Sequence, residues 1–432
     1  MVYGLAVMLL LMAGEVTDEL SVGLNYLTHG EVCGGGLPKS AAKESDEDRS
    51  SFLMGRFRVT ADYHRRGLQA YAVIENKSVW GAKGNQTLGL YEGWVKASTK
   101  SGLFAQIGRV ALSYDDERIV GLNDFAMAAK SHDVLRAGYE GHGHKLHGVV
   151  AYNQNGTEVY QSTYYVDGAQ PYKNMQMVWY HYDVEKAGIG ASLLFMNTGL
   201  QAGVAGDQQN PARTVYQRVY GGYLNWQRKG LTLEASYYKQ EGKEVDHLMQ
   251  VGRVDAWMGS VKATVRGSES YGFVAGYDYL SGDDYVPVVY GGTLGLVRHD
   301  TDRGFTPLYG SRKKFYGIMD YFYESAYING FTPGLQNAYA GVFGNPMKKL
   351  SCRAIYQYLA TATELRGLNR TLGHAIDLIV SYKFSKDVSL TAGYTQMHGT
   401  ETMDRLKQGE GSRRARWGWF SLVVSPSAFK IK

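Results

Sequence analysis

The sequence is short of proline, almost free of cysteine, and has no long apolar run after its first residues. Each shortage removes a class of protein. Eight prolines in 432 residues leave few breaks in backbone donors, which suits long, unbroken sheet because proline removes a ladder hydrogen bond. The two cysteines, Cys33 and Cys352, lie far apart in no metal-type spacing, which argues against a disulfide framework or a zinc site. No lipobox precedes Cys33, so a lipoprotein anchor is not expected. Beyond the N-terminus nothing approaches the roughly 20 apolar residues of a membrane-spanning helix, and the mean hydropathy is -0.30. The net charge is only +5, with basic residues interleaved among acids rather than clustered, so no nucleic-acid partner is predicted. No Ser-His-Asp arrangement, Walker loop or dinucleotide fingerprint stands in a strand-turn-helix setting. Neither an enzyme nor a cofactor is expected.

What is present points to sheet. Aromatic residues make up 13% of the chain, with 34 Tyr, and there are 54 Gly. Tyrosine suits a membrane interface, where the ring lies against lipid and the hydroxyl reaches water. A soluble propeller could share this composition, so the decision rests on pattern. Residues 1–14 are mostly apolar and resemble the core of a signal peptide without its basic start. An apolar first strand is the alternative. Residues 15–432 are expected to form a single barrel.

Alternation with period two recurs down the chain. From Leu53 to Tyr63, one face carries Leu, Gly, Phe, Val, Ala and Tyr, and the other Arg56, Arg58, Thr60 and Asp62. Near the C-terminus, Ile376, Leu378, Val380 and Tyr382 share a face opposite Asp377, Ser381 and Lys383. Short polar turns are expected at 64–67, 99–102, 141–145, 185–186, 228–230, 267–270, 345–348 and 385–387. Long polar loops are expected at 31–50, 77–87, 113–133, 153–174, 198–214, 241–253, 281–332, 362–373 and 399–416. Eight short turns alternating with nine long loops connect about 18 strands. An even strand number, short periplasmic turns and long extracellular loops define a transmembrane antiparallel β-barrel, all-β, of the outer membrane of a Gram-negative bacterium. The 315–321 segment alternates too, but counting it as a strand would break the short/long rhythm, so it is read as part of the largest loop.

The run Gly108-Arg109-Val110-Ala111-Leu112-Ser113-Tyr114-Asp115-Asp116-Glu117-Arg118-Ile119-Val120-Gly121, followed by Asn123-Asp124-Phe125 and Ser131-His132-Asp133, resembles the alginate-export porin family. Weaker matches resemble its Bacteroidetes-type branch: 179–183, 276–283 and 399–403. The resemblance covers most of the chain after about Ser51. It implies an 18-stranded outer-membrane barrel and says much less about cargo.

Transport through such a pore needs a lumen of suitable charge rather than a nucleophile; rings of Arg and Lys favour anions. Alternation places Arg56, Arg58, Asp62 and Arg136 inward, with Gln69, Glu75, Glu92, Lys96, Glu234, Lys262 and Asp278. Arg56 and Arg58 are the best cargo contacts, being neighbouring inward positions of like charge, although a mutually paired wall network is the alternative. Asp115, Asp116, Glu117 and Arg118 lie in a long loop. Folded inward with Arg109, they would form a constriction; a calcium site or a structural salt-bridge cluster are the other readings. His142, His144 and His147 sit on a short turn and its strand, where side chains diverge, so they are read as solvated rather than metal-binding. The expected function is a porin-like channel for small or polymeric anionic solutes such as acidic sugars, with outer-membrane lipid and lipopolysaccharide as surroundings. The alternative is an adhesive or structural barrel, its lumen plugged by the Tyr- and Gly-rich 281–332 loop.

Overall fold

The computed structural model describes residues 18–35, 49–84, 86–125, 127, 129–154, 171–204, 206–245, 251–267, 270–283, 286–290, 293–297, 301–322, 332–365, 367–407 and 413–431. The apolar N-terminal segment expected as a signal peptide lies outside them.

Thirteen strands follow one another along the first two thirds of the chain: β1 (Glu19–Gly34), β2 (Arg49–Arg65), β3 (Leu68–Val79), β4 (Gln86–Ser98), β5 (Leu103–Val110), β6 (His132–Gly141), β7 (His144–Tyr152), β8 (Asn174–Val184), β9 (Ile189–Ala202), β10 (Arg213–Arg228), β11 (Leu231–Val245), β12 (Val251–Arg266) and β13 (Tyr271–Leu280). A small hairpin, β14 (Val286–Tyr290) with β15 (Thr293–Val297), and the short β16 (Thr301–Asp302) belong to the loop that follows. The wall resumes with β17 (Leu335–Met347), β18 (Leu350–Ala360), β19 (Thr371–Lys383), β20 (Val388–Gly399) and β21 (Arg414–Val424). Helix α1 (Glu401–Leu406) lies before β21, and β22 (Phe429–Ile431) follows it. Consecutive wall strands pair antiparallel, β13 pairs directly with β17, and β1 pairs with both β2 and β21. The result is a closed 18-stranded barrel with no free edge, as the turn rhythm predicts.

The alternation sorts by face. On β19, Ile376, Leu378, Val380 and Tyr382 are exposed on the outside, while Asp377 is 4% exposed. The outer face carries Leu193, Leu224 and Val261 in its middle. Aromatic rings flank this band: Tyr271, Phe273, Tyr382 and Phe384 toward the short turns, Tyr220, Trp257 and Tyr358 toward the long loops. A band of exposed apolar side chains around a whole molecule far exceeds the few hundred Å² a soluble surface carries, and aromatic girdles at both edges complete the pattern of a lipid-facing wall.

The 315–321 segment is indeed loop, not strand. Several strands overrun their expected ends: Glu31 to Gly34 extend β1, so Cys33 is a strand residue rather than a loop residue. Strands can continue above a membrane as long as each N–H keeps its partner, here β2 and β21 on either side.

The buried apolar side chains lie inside the barrel. Met175, Met177, Met196 and Met258 point inward from β8, β9 and β12 and are at most 1% exposed. Their cover is two segments of the long loops, 111–125 and 303–322, whose Leu112, Tyr114, Ile119, Phe305, Tyr309 and Tyr316 join the same cluster.

Candidate functional site

The two loop segments cross the bore and are stitched together. Val120 bridges to Tyr309; the Gly121 N–H donates to the Tyr309 carbonyl (3.0 Å), and the Ser311 N–H to that of Glu117 (2.9 Å). Glu117 accepts from the hydroxyls of Ser113 (2.8 Å) and Ser311 (2.6 Å). Burial alone would raise its pKa, but these bonds and the nearby Lys314 outweigh it and hold the carboxyl below its ordinary value. Six non-glycine residues with positive φ fall in these segments: Asp115, Glu117, Asn123, Lys313, Tyr316 and Asp320. A left-handed non-glycine residue costs on the order of 1–3 kcal/mol and persists where surrounding contacts over-determine it.

The wall holds the loops at three places. On one side, Asp115 accepts from Trp179 Nε1 of β8 (3.0 Å) and the Tyr238 hydroxyl of β11 (3.2 Å). Centrally, the buried Arg118 guanidinium donates to Asp116 (2.8 Å), Asp278 of β13 (2.7 Å) and the Tyr316 hydroxyl (3.1 Å), and stacks 4.2 Å from the Phe315 ring. Burial would lower the Arg118 pKa, yet Asp278 and its other partners raise it well above the usual value. Asp116 is pushed up by burial, which Arg118 only partly offsets. On the opposite side, Asp124 accepts from Arg56 (2.7 Å) and Arg58 (3.2 Å) of β2, while Arg58 also donates to Glu75 of β3 (2.8 Å).

Arg56 and Arg58 therefore belong to the paired network rather than to the open lumen: they are 5% and 9% exposed and act as the anchor of the crossing loop. Asp115, Asp116, Glu117 and Arg118 are inside the barrel, their carboxylates turned to different partners instead of converging as calcium ligands would. Arg136 faces inward, 5.6 Å from the Phe104 ring. Asp62 also faces inward but near the short turns, accepting from Gln69 (2.9 Å). Arg109 departs from expectation. On β5 the inward residues are Phe104, Gln106 and Val110, so Arg109 shares the outer face with Leu103 and Ile107. It is held there by a two-pronged pair with Asp133 (2.9 and 2.8 Å) and takes no part in narrowing the bore. Of the three histidines, His144 stacks on Tyr182 (4.3 Å), whereas His147 turns inward to Glu140 (2.9 Å).

Beside the crossing loops a cavity of about 650 Å³ remains, its far wall formed by β10–β13 and β17–β19. Its acids are mostly engaged: Glu234 with Lys262 (2.6 Å), Asp278 with Arg118, and Asp377 with Thr395 and Gln357. Two cations on its lining, Lys313 and Arg353, have no ion partner among the described residues. Lys313 lies 4.2 Å above the Trp417 ring, and burial lowers its pKa, an effect Asp320 and Glu31 only partly offset. Arg312, Lys313 and Lys314 escaped sequence reasoning, although three consecutive basic residues before Phe315-Tyr316 in a long loop were a visible signal.

No family model matches the chain, and no curated protein matches it. Solved structures do. OccK5 (OpdH) of Pseudomonas aeruginosa aligns with a TM-score of 0.60 at 10% identity, covering 95% of this chain and 98% of that one. A BenF-like porin from Pseudomonas fluorescens Pf-5 aligns at 0.61 and 11% identity, covering 95% and 99%. OccK2 (OpdF) of Pseudomonas aeruginosa, solved in complex with glucuronate, aligns at 0.58 and 10%, covering 96% and 98%. At such identities the likeness is one of fold, and it runs nearly end to end.

Proposed function

We propose that this chain is a porin-like channel of a Gram-negative outer membrane that passes small, negatively charged solutes, sugar acids among them, without covalent chemistry. The observation that carries the reading is the pair Lys313 and Arg353 on the lining of the 650 Å³ cavity, one on the crossing loop and one on the opposite wall, neither in an ion pair among the described residues. Cations in a water-poor constriction raise the local concentration of anions, and the effect fades as salt shortens the Debye length below about 10 Å. The glucuronate complex of the structurally similar OccK2 supports a sugar-acid cargo. The motif at Gly108–Gly121 supports kinship with alginate-export porins, and a polymeric acidic sugar is the cargo that kinship would imply.

The test is a planar bilayer in a salt gradient. An anion-selective reversal potential is expected, moving toward zero when Lys313 and Arg353 both become Ala. Cation selectivity in the unaltered protein would overturn the charge argument. A complete lack of conductance would favour the adhesive or structural barrel, because the loop segment 303–322 already fills part of the bore.

A further inference from the structure

Outside the pore, the wall over β10–β12 carries a charge pattern that protein partners leave incomplete. Lys243 and Arg253 stand directly opposite each other in the β11–β12 register, both exposed on the outer face. Like charges facing across an antiparallel pair repel, and neither has an ion partner among the described residues. One row nearer the membrane, Arg218 approaches Glu241 at 3.8 Å, and Asp255 is paired by Lys239, which stands in the row below between Tyr220 and Trp257. The patch thus holds four cations against two carboxylates. Next come the girdle residues Tyr220 and Trp257, which place the cations at the height of lipid headgroups on the long-loop side.

Below the girdle the same three strands, with β13 beside them, form a shallow groove of about 580 Å³. In one register row Gly222 faces Tyr237, which faces Gly259, which faces Tyr279. The glycines and Ala235 leave the floor low, and Tyr237, Tyr279 and Leu224 make the sides. A groove facing hydrocarbon gains nothing from hydrophobicity, since lipid tails are as apolar as the wall; it offers shape to a chain whose headgroup is held above it. Cations over an apolar groove fit one chemistry.

We propose that this face binds one phosphorylated lipid of the outer leaflet, of the lipid A class, with its phosphates on Lys243, Arg253, Arg218 and Lys239 and an acyl chain along the Gly222–Gly259 groove. The site rests on the wall lying in a membrane but not on what the pore carries. The four cations match two phosphate groups better than a zwitterionic headgroup, whose own cation they would repel.

The test uses the full chain in mild detergent, with bis-phosphorylated lipid A, dephosphorylated lipid A and phosphatidylcholine as separate probes and native mass spectrometry as readout. One bis-phosphorylated lipid A should stay bound, and the other two should be retained at least tenfold less. The double variant K243E/R253E should lose retention by at least tenfold while its single-channel conductance stays at the wild-type value, which shows that it folds. Gly259→Leu should also lower retention, because a Cβ there meets only the Trp257 ring at 3.7 Å and the side chain would occupy the groove. Wild-type retention by K243E/R253E, or equal retention of phosphatidylcholine, would overturn the proposal. So would a dimer of this chain that the double variant dissociates, since the face would then belong to a second copy. A failed selectivity experiment would leave this result standing, and the converse holds.

Discussion

Arg118 is the residue on which the crossing loops depend most. Its guanidinium ties the 111–125 segment through Asp116, the wall through Asp278 and the 303–322 segment through Tyr316, and its own side chain is almost fully buried. Replacing it by Ala removes two hydrogen bonds to carboxylates, each worth about 1.5–3 kcal/mol, and a third to the Tyr316 hydroxyl, and strands Asp278 as a buried, half-satisfied carboxylate. Breaking a buried pair from one side costs about 3–5 kcal/mol, which is two to three and a half powers of ten in the ratio of docked to released loops. The closed sheet is untouched, because none of its ladder bonds involves this side chain. The expected outcome is therefore a folded barrel with a looser bore: higher mean conductance and more current noise in single-channel recordings than the wild type shows. Arg118→Lys should fall between the two, since one ammonium cannot reach both carboxylates and the tyrosine in the planar fork geometry that a guanidinium provides. Conductance and noise identical to wild type in Arg118→Ala would refute the idea that this network sets the aperture.

Two further predictions concern the wall. Val380→Arg should cost folding stability, by less than the ~2–4 kcal/mol of a midplane arginine because the girdle residue Tyr382 is one row away, whereas Ser381→Arg, on the lumen side, should be nearly neutral; equal destabilisation in a liposome unfolding assay would remove the register. Cys33 lies at the long-loop end of β1 and Cys352 near the short-turn end of β18. An impermeant thiol reagent on intact cells should reach Cys33 and spare Cys352, and the reverse result would invert the barrel.

The wall was legible because its signals are local. A period of two needs only a few neighbouring residues, and a turn such as Arg66-Gly67 announces itself with a glycine at φ 72°. The outward placement of Arg109 was legible by the same rule, through Leu103 and Ile107 on its face; the family-like motif around it drew attention to the charge instead. The pairing of Arg58 with Glu75 was within reach too, since the two oppose each other in the β2–β3 register. Their shared partner Asp124 was not, because it arrives from a loop 66 residues away along the chain.

That long-range step also explains where the alternation stops carrying information. On β8, Met175, Met177 and Trp179 point inward while Val178 and Tyr180 point outward, so both faces are apolar and neither reads as lumen. The inward face is apolar because Tyr114 of the crossing loop packs against Trp179 (5.0 Å between rings), and Leu112, Tyr309 and Tyr316 share the cluster with the methionines. A plain water-filled pore would place polar residues there. Strands with two apolar faces on one side of a barrel whose other strands alternate cleanly are thus the sequence trace of an inserted loop: the hydrophobic effect that drives side chains out toward lipid drives a second set in against the loop. β8, β9 and β12 carry that trace, with Met175, Met196 and Met258 all fully buried. By contrast, β2 keeps charged inward residues, Arg56 and Arg58, because the loop meets it through the carboxylate of Asp124 and not through an apolar face. The position of the constriction was written in which strands lose their polar face, and the charged anchor marks where the loop touches down on the other side.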